Sequence, residues 1–233
     1  MNIMDAKELK CMTLDDAVRH VKDGMTIGIG SGSTIELLIP KLAALHEQGV
    51  AFTGVCTSKK TAMLAQEANI PVVDVNHVTH IDLAIDGADE VDPQLNLIKG
   101  GGGALFREKV IDAFADYFIV IADESKVVNY LGETFKLPVE VDTFNWLQVK
   151  QIIAEKTPLK PELRLRDDVP LITDNGNYIL DCTIPEPLDV YALHETLIHI
   201  VGVLETGLFL DVVDKAIIGT QQGVRIMETD RVS

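Results

Sequence analysis

The segment that decides the fold runs from Asp86 to Lys109 and combines acids, a lysine and four consecutive glycines. It reads Asp86-Gly87-Ala88-Asp89-Glu90-Val91-Asp92, then Lys99-Gly100-Gly101-Gly102-Gly103-Ala104-Leu105, then Arg107-Glu108-Lys109. The apolar run at residues 81–85 just before it has the length and the boundaries of a buried strand. The acids therefore begin where a strand ends, and in open α/β sheets ligands lie outside the carboxyl ends of the strands.

The glycines at 100–103 predict a close approach of the backbone to a ligand. Glycine contributes no packing, and it adopts φ values that other residues avoid. A helix is predicted to follow, and helix N-termini favour anions. The alternative interpretation is a glycine turn beside a solvated, charged helix.

The predicted helix covers residues 104–117. Glu108 lies in its first two turns, off the apolar stripe, and its side chain leans back toward the glycines. Three charged residues are expected to face away from the stripe: Lys109, Asp112 and Asp116. The stripe has the spacing of a core-facing surface and consists of Phe106, Val110, Ala113, Phe114 and Tyr117.

Composition excludes several classes of protein. The chain has 233 residues, 47% of them hydrophobic, and a net charge of −16. That charge argues against a nucleic-acid surface, which needs a basic face, and against an anionic membrane. Three widely spaced cysteines imply no disulfide framework. The acidic N-terminus is unlike a signal peptide, and no stretch reaches the roughly 18 apolar residues of a spanning helix. We expect a cytoplasmic protein.

A second glycine-rich loop follows the predicted strand at 25–29. It reads Gly28-Ile29-Gly30-Ser31-Gly32-Ser33-Thr34, and a helix is predicted at 35–46. A strand, a loop of glycines and hydroxyls, and a helix together bind phosphate. The loop is not a dinucleotide fingerprint, because its third glycine comes one position too early, nor a P-loop, because no Gly-Lys-Ser/Thr follows. A purely structural tight turn is the alternative.

Strands and helices alternate through the first half of the chain. Strands are predicted at 52–56, 72–75, 81–85 and 118–122, with helices at 5–23 and 59–68. Alternation of this kind predicts a parallel sheet with helices on both faces. Such a sheet brings four loops to one edge, namely residues 30–34, 57–58, 86–89 and 123–126.

The pattern changes near Gly132. Strands are predicted at 137–141, 163–166 and 203–205, with helices at 144–156 and 189–200 and a hairpin at 171–182 whose tip is Asn175-Gly176. This order is the ferredoxin-like pattern. The fold class is therefore α/β, a Rossmann-like parallel sheet domain (residues 1–131 plus 207–233) with a smaller inserted ferredoxin-like α+β domain (residues 132–206). Short strands at 208–213 and a hairpin at 216–227, turning at 221–223, complete the first domain.

Histidines do not predict a metal site. His77 and His80 are three residues apart, and His194 and His199 lie near the end of a predicted helix. No Asp, Glu or Cys cluster with zinc spacing surrounds either pair, so we interpret them as surface or packing residues and expect no metal and no cofactor.

Four segments together resemble ribose-5-phosphate isomerase of the A type, in the same order and over nearly the whole chain. They are residues 28–34, 86–90, 99–109 and 122–126, and the later Leu-Pro-Val-Glu-Val, Thr-Asp-Asn-Gly-Asn and Gly-Leu-Phe segments also match. The resemblance implies interconversion of D-ribose 5-phosphate and D-ribulose 5-phosphate in the non-oxidative branch of the pentose phosphate pathway. We expect a homodimer or homotetramer.

The resemblance also implies the site. Glu108 matches the catalytic base, Asp86 and Asp89 match the sugar-binding acids, and Lys99 is a site lysine with a catalytic role. Phe106 departs from the smaller or polar residue of many members, and Cys11-Met12 follow Lys10 where a lysine and small residues are frequent. The substrate-binding set comprises Lys10, Ser31, Gly32, Ser33, Thr34, Asp86, Gly87, Ala88, Asp89, Lys99, Gly100, Gly101, Gly102 and Lys126.

The chemistry is the movement of a proton between C2 and C1 through an enediol, by one base that takes it and returns it. Glu108 suits this task, with a pKa raised by a closed site or held low by lysines. Lys99 is the candidate partner of the enediolate oxygen. Two alternatives remain at this point: a non-catalytic sugar-phosphate sensor, and a related sugar-phosphate isomerase or deaminase.

Overall fold

A computed structural model describes residues 3–229. Its helices are α1 (Ala6–Val18), α2 (Ser33–Glu47), α3 (Lys59–Glu67), α4 (Leu105–Asp112), α5 (Trp146–Lys156) and α6 (Val190–Ile198). Its strands are β1 (Thr26–Ile29), β2 (Thr53–Cys56), β3 (Leu83–Asp86), β4 (Glu90–Val91), β5 (Leu97–Ile98), β6 (Phe118–Asp123), β7 (Leu137–Val141), β8 (Lys160–Leu163), β9 (Leu165–Arg166), β10 (Val169–Pro170), β11 (Tyr178–Thr183), β12 (Val203–Thr206), β13 (Leu208–Phe209), β14 (Lys215–Thr220) and β15 (Gly223–Glu228).

The chain divides into two compact units. Within the described residues, the first unit comprises 3–88, 107–127 and 211–229, and the second comprises 89–106 and 128–210. This division differs from the expected boundaries mainly at residues 89–106. That segment joins the second unit because β4 and β5 form a three-stranded antiparallel sheet with β13.

The first unit contains a six-stranded sheet in the order β15-β14-β6-β3-β1-β2. Five strands are parallel, and β15 is an antiparallel edge strand. The parallel strands are buried on both faces, which explains their continuous apolar sequences. The Rossmann-like sheet that the sequence predicts is therefore confirmed, as is the hairpin at β14 and β15.

The second unit contains a four-stranded antiparallel sheet in the order β12-β7-β11-β8. With α5 and α6 this is the ferredoxin-like arrangement, so that prediction is confirmed too. One face of the sheet carries the core of the unit, which includes Leu137, Val139, Val141, Val149 and Leu197.

The strand predicted at 163–166 is divided between β8 and β9, and of residues 208–213 only β13 is a strand, which pairs with β5 in the second unit. Two further strand predictions are wrong in detail. Residues 72–75 form only a single bridge, between Val72 and Gly54, and then a 3-10 turn at Val75–His77. The tight turn at Asn175-Gly176 is present, but β11 pairs with β7 and β8 and not with the residues just before the turn. In both places long-range pairing overrides a short local pattern.

Candidate active site

The first unit holds the carboxylate of Asp86 at the end of β3, and no part of this residue is exposed to solvent. Its Oδ1 accepts hydrogen bonds from the backbone N–H groups of Ser31, at 3.0 Å, and Gly87, at 2.6 Å. Gly30 makes this approach possible, because a Cβ at that position would lie 2.0 Å from the Asp86 carboxyl carbon. Asp86 therefore connects the ends of two neighbouring parallel strands, β1 and β3.

The loop at 31–34 is an open helix N-terminus with hydroxyl groups around it. Helix α2 begins at Ser33, and its N-cap is Gly32, with φ +95° and no side-chain cap. Because no side chain caps this end, the first N–H groups of α2 suit an anion. The Ser31 hydroxyl lies 2.7 Å from that of Thr57 and 3.2 Å from that of Thr61, which ties the loop to the end of β2 and the start of α3.

Lys10 brings a positive charge to this loop. Its ammonium donates to the Ser33 hydroxyl at 3.2 Å and lies 3.8 Å from Oδ2 of Asp123, the last residue of β6. Asp123 is 1% exposed, and its other oxygen accepts from the N–H and hydroxyl groups of Ser125. A partner for Lys10 at a strand end was not predicted, although the segment 123–126 had been placed at the same edge.

Lys126 ends a short 3-10 turn that starts at Glu124, and it is partly exposed. Gly87 lies close to the phosphate loop, since a Cβ on it would be 3.7 Å from Thr34. Thr34 is nearly buried, whereas Gly32 and Ser33 are exposed. The predicted phosphate-binding residues of the first unit, apart from Lys126, are thus adjacent in the structure, together with Asp86 and Lys10.

Helix α4 is shorter than predicted, and the predicted face is wrong. It covers Leu105–Asp112, and Val110 and Phe114 are exposed, whereas Glu108 and Asp112 are 5% and 1% exposed. The inward face is marked by Ile111, which packs with Val55 and Ile81. The helix therefore turns its carboxylates inward, and an amphipathic pattern cannot reveal a buried face that carries charged side chains.

The second unit holds Asp89 and the glycine loop in direct contact. The Gly101 N–H donates to Oδ2 of Asp89 at 2.7 Å, and a Cβ on Gly101 would lie 2.7 Å from Oδ1. Gly100 has φ +102°, which a residue with a side chain rarely adopts. By contrast, a Cβ on Gly102 would meet nothing within 4 Å. The glycines at 100 and 101 are therefore required by the fold of the loop itself.

Lys99 is 2% exposed, and its ammonium lies 5.4 Å from the ring centroid of Phe209. Its backbone N–H donates to the carbonyl oxygen of Gly207 at 2.9 Å. A cation over an aromatic face is stabilised by the ring quadrupole. Phe209 was not predicted as a site residue, because it is 110 positions away in sequence and reaches Lys99 only through the pairing of β13 with β5.

Two acids of the segment 86–92, Glu90 and Asp92, accept hydrogen bonds within the second unit. Glu90 is completely buried and accepts hydrogen bonds from Gly132, Thr134 and Phe135. Asp92 accepts from the N–H groups of Gln94 and Asn96 and so shapes the turn before β5. These two carboxylates stabilise loops of the second unit.

No group of three metal-ligating side chains that would hold an ion occurs among residues 3–229. His80 contacts Asp82 and Asp116 at the surface, and His194 contacts Thr206. In the same described part of the chain, no helix is both long and apolar enough to cross a membrane.

Known proteins resemble the chain over almost its full length. A sequence model of the family Ribose 5-phosphate isomerase A (phosphoriboisomerase A) matches residues 53–223. A relative named Ribose-5-phosphate isomerase A from Staphylococcus epidermidis is 63% identical over 97% of this chain and 99% of its own. A relative of the same name from Staphylococcus aureus is 60% identical over 96% of this chain and 99% of its own.

Solved structures that resemble this chain belong to the same family. A D-ribose-5-phosphate isomerase in complex with phospho-erythronic acid is 40% identical, with a TM-score of 0.93 over 97% of this chain and 100% of that one. The ribose 5-phosphate isomerase A of Methanocaldococcus jannaschii is also 40% identical, with a TM-score of 0.90 over 96% and 99% of the two chains. The chain belongs to the ribose 5-phosphate isomerase A family, the aldose–ketose isomerases that interconvert ribose 5-phosphate and ribulose 5-phosphate.

Proposed function

We propose that Glu108 is the base of this isomerisation. In the aldose, Glu108 removes the proton from C2, and the electron pair forms the C1–C2 double bond of an enediolate. The same carboxyl group then returns the proton to C1, while the hydroxyl proton passes from O2 to O1, which yields the ketose. The observation that carries this role is a carboxylate only 5% exposed on a helix directly after the glycine loop. A general base works best when it is positioned and protected from water.

Lys99 is proposed to stabilise the negative charge that develops on the enediolate oxygen. Its burial and its position over Phe209 support this role, because they restrict the ammonium to few orientations. Asp86 and Asp89 are proposed to hold sugar hydroxyls and to assist the opening of the furanose ring. Both carboxylates accept hydrogen bonds from backbone N–H groups, which fix their orientation.

The phosphate is proposed to bind at residues 31–34, with Lys10 and Lys126 as cations. In the second unit, the N–H groups of Gly100 and Gly102 are proposed as further donors to the substrate, whereas that of Gly101 holds Asp89. The open N-terminus of α2 and the contact between Lys10 and Ser33 support this assignment. The hydroxyl groups of Ser33 and Thr34 add donors that a phosphate accepts. A net charge of −16 makes such local cations necessary for an anionic substrate.

The proposal is tested by measuring ribulose 5-phosphate formation from ribose 5-phosphate. Phospho-erythronic acid, with which a relative was solved, is a phosphorylated sugar acid whose planar carboxylate resembles the enediolate. We expect it to inhibit this enzyme competitively and to bind more tightly than the substrate, as transition-state analogues do. A folded protein that forms no ribulose 5-phosphate would refute the proposal and favour a sugar-phosphate sensor.

We also propose that the enzyme works in the cytoplasm as a homodimer or homotetramer. Its three cysteines are free thiols, which suits a reducing compartment. Exposed apolar side chains in one stretch of the second unit, Leu165, Val169 and Ile172, support association with a second copy. Light scattering at micromolar concentration tests this, and a monomer would contradict it.

A further inference from the structure

Arg164 connects two separate parts of the second unit. Its side chain is 11% exposed, and at one end Nε donates to Oδ2 of Asp181 at 2.8 Å while Nη2 donates to Oδ1 of the same carboxylate. At the other end, Nη1 donates to the carbonyl oxygens of Gly100, at 2.7 Å, and Gly101, at 3.1 Å. One planar guanidinium thus holds a carboxylate on one side and the glycine loop on the other.

Both members of this pair lie in, or directly after, a strand of the antiparallel sheet. Asp181 lies in β11, opposite Glu162 of β8. Arg164 follows β8, and its backbone N–H donates to the Ile179 carbonyl at 2.9 Å. Because the strands are hydrogen-bonded to each other, the bidentate ion pair holds the Arg164 guanidinium in one orientation. The guanidinium can in turn orient the groups to which it donates.

The peptide group between Gly100 and Gly101 connects Arg164 to Asp89. A trans peptide is planar, and its C=O and N–H groups point in opposite directions. The C=O of this peptide accepts from Arg164, and its N–H donates to Asp89 at 2.7 Å. Arg164 on one side of the loop therefore determines where the N–H on the other side holds the Asp89 carboxylate.

We propose that Arg164 and Asp181 form a positioning pair for the isomerase reaction, which fixes the Gly100–Gly101 peptide and through it the Asp89 carboxylate. This inference rests on the proposed role of Asp89 in binding the sugar. Lysine cannot replace Arg164, because a single ammonium does not offer the planar fork that reaches a carboxylate and two carbonyls at once. The pair lies outside the glycine loop and acts through it.

The first experiment compares Arg164→Lys and Arg164→Ala with Arg166→Ala. Arg166 is the matched control, since it is an exposed arginine two residues further along the chain, in β9. We expect kcat/KM to fall about tenfold in Arg164→Lys and about a hundredfold in Arg164→Ala, as for loss of one or both of the charged hydrogen bonds to the Gly100 and Gly101 carbonyls. Millimolar guanidinium should partly restore Arg164→Ala and leave the control unchanged. If Arg164→Ala does not fold, Arg164→Lys and Asp181→Asn give the same comparison.

The second experiment is a double-mutant cycle of Arg164→Lys with Asp89→Asn. If the pair acts through Asp89, the double variant should lose much less activity than the product of the two single losses. Independent, multiplicative losses would overturn the positioning role, as would an Arg164→Lys enzyme that behaves like the control. An Asp89→Asn enzyme with wild-type kinetics would instead refute the proposed role of Asp89, and with it the pair's route to the reaction.

Discussion

The substitution Gly30→Ala tests the position of Asp86 directly. An added Cβ would lie 2.0 Å from the Asp86 carboxyl carbon, whereas ordinary contact begins at 3.4 Å, so the carboxylate must shift by about 1.4 Å. A shift of that size breaks its hydrogen bonds from Ser31 and Gly87, which are 3.0 and 2.6 Å long. Because a misplacement of about 1 Å can cost about a hundredfold in rate, we expect kcat/KM for ribose 5-phosphate to fall by about that factor.

The control is Gly54→Ala in the neighbouring strand β2. Its Cβ would lie 2.7 Å from Cδ1 of Ile29, the flexible end of a side chain, so it adds a comparable close contact without touching a carboxylate. We expect kcat/KM of this variant to stay within about threefold of the wild-type value, since overpacking acts mainly on stability. Adding Gly30→Ala to Asp86→Ala should have little further effect. A folded Gly30→Ala enzyme with activity within threefold of wild type would refute the role of Asp86.

Three further predictions concern the phosphate, metals and thiols. Thr34→Val should lower kcat/KM about ten- to a hundredfold and weaken inhibition by inorganic phosphate, because a hydroxyl donor to a charged group is lost. An unchanged inhibition constant for phosphate would show that the anion binds elsewhere. EDTA should leave turnover unchanged, and loss restored by one divalent ion would contradict the metal-free chemistry. Iodoacetamide at pH 8 should modify the exposed Cys11 in the folded enzyme but neither Cys56 nor Cys182. Burial raises the pKa of Cys56 to about 12 and also raises the pKa of Cys182, so both remain unreactive thiols. Mass spectrometry identifies the modified residues, and rapid labelling of Cys56 would contradict the packing of β2.

Local patterns were sufficient to predict the sheet and the glycine loops. Buried parallel strands are continuous apolar runs, and the loops that follow them must lie at one edge, so Asp86 and residues 31–34 could be placed without coordinates. The local pattern also singled out Glu108 and Lys99, to which the family resemblance gave roles, and the resemblance added Lys10. The structure shows Lys10 next to Ser33, which the spacing of 23 residues alone does not reveal.

Long-range contacts could not be predicted. Arg164 reaches Gly101 across 63 residues, and Phe209 reaches Lys99 across 110, both through the pairing of strands whose register has no local signature. The buried face of α4 was predicted wrongly because it carries charged side chains. Its buried residues include Glu108 and Asp112, and burial of carboxylates opposes the hydrophobic periodicity on which a prediction depends.

The role of Glu108 is tested most directly by following the transferred proton in D2O with wild type and Glu108→Gln. The wild-type enzyme should incorporate deuterium from solvent at C1 of ribulose 5-phosphate as it isomerises the substrate. In Glu108→Gln both isomerisation and deuterium incorporation should fall by a factor of about 10² to 10⁴, the usual contribution of general acid–base catalysis, while phospho-erythronic acid still binds within about threefold of its wild-type affinity. A folded Glu108→Gln enzyme that exchanges deuterium at more than about a third of the wild-type rate would show that another group moves the proton.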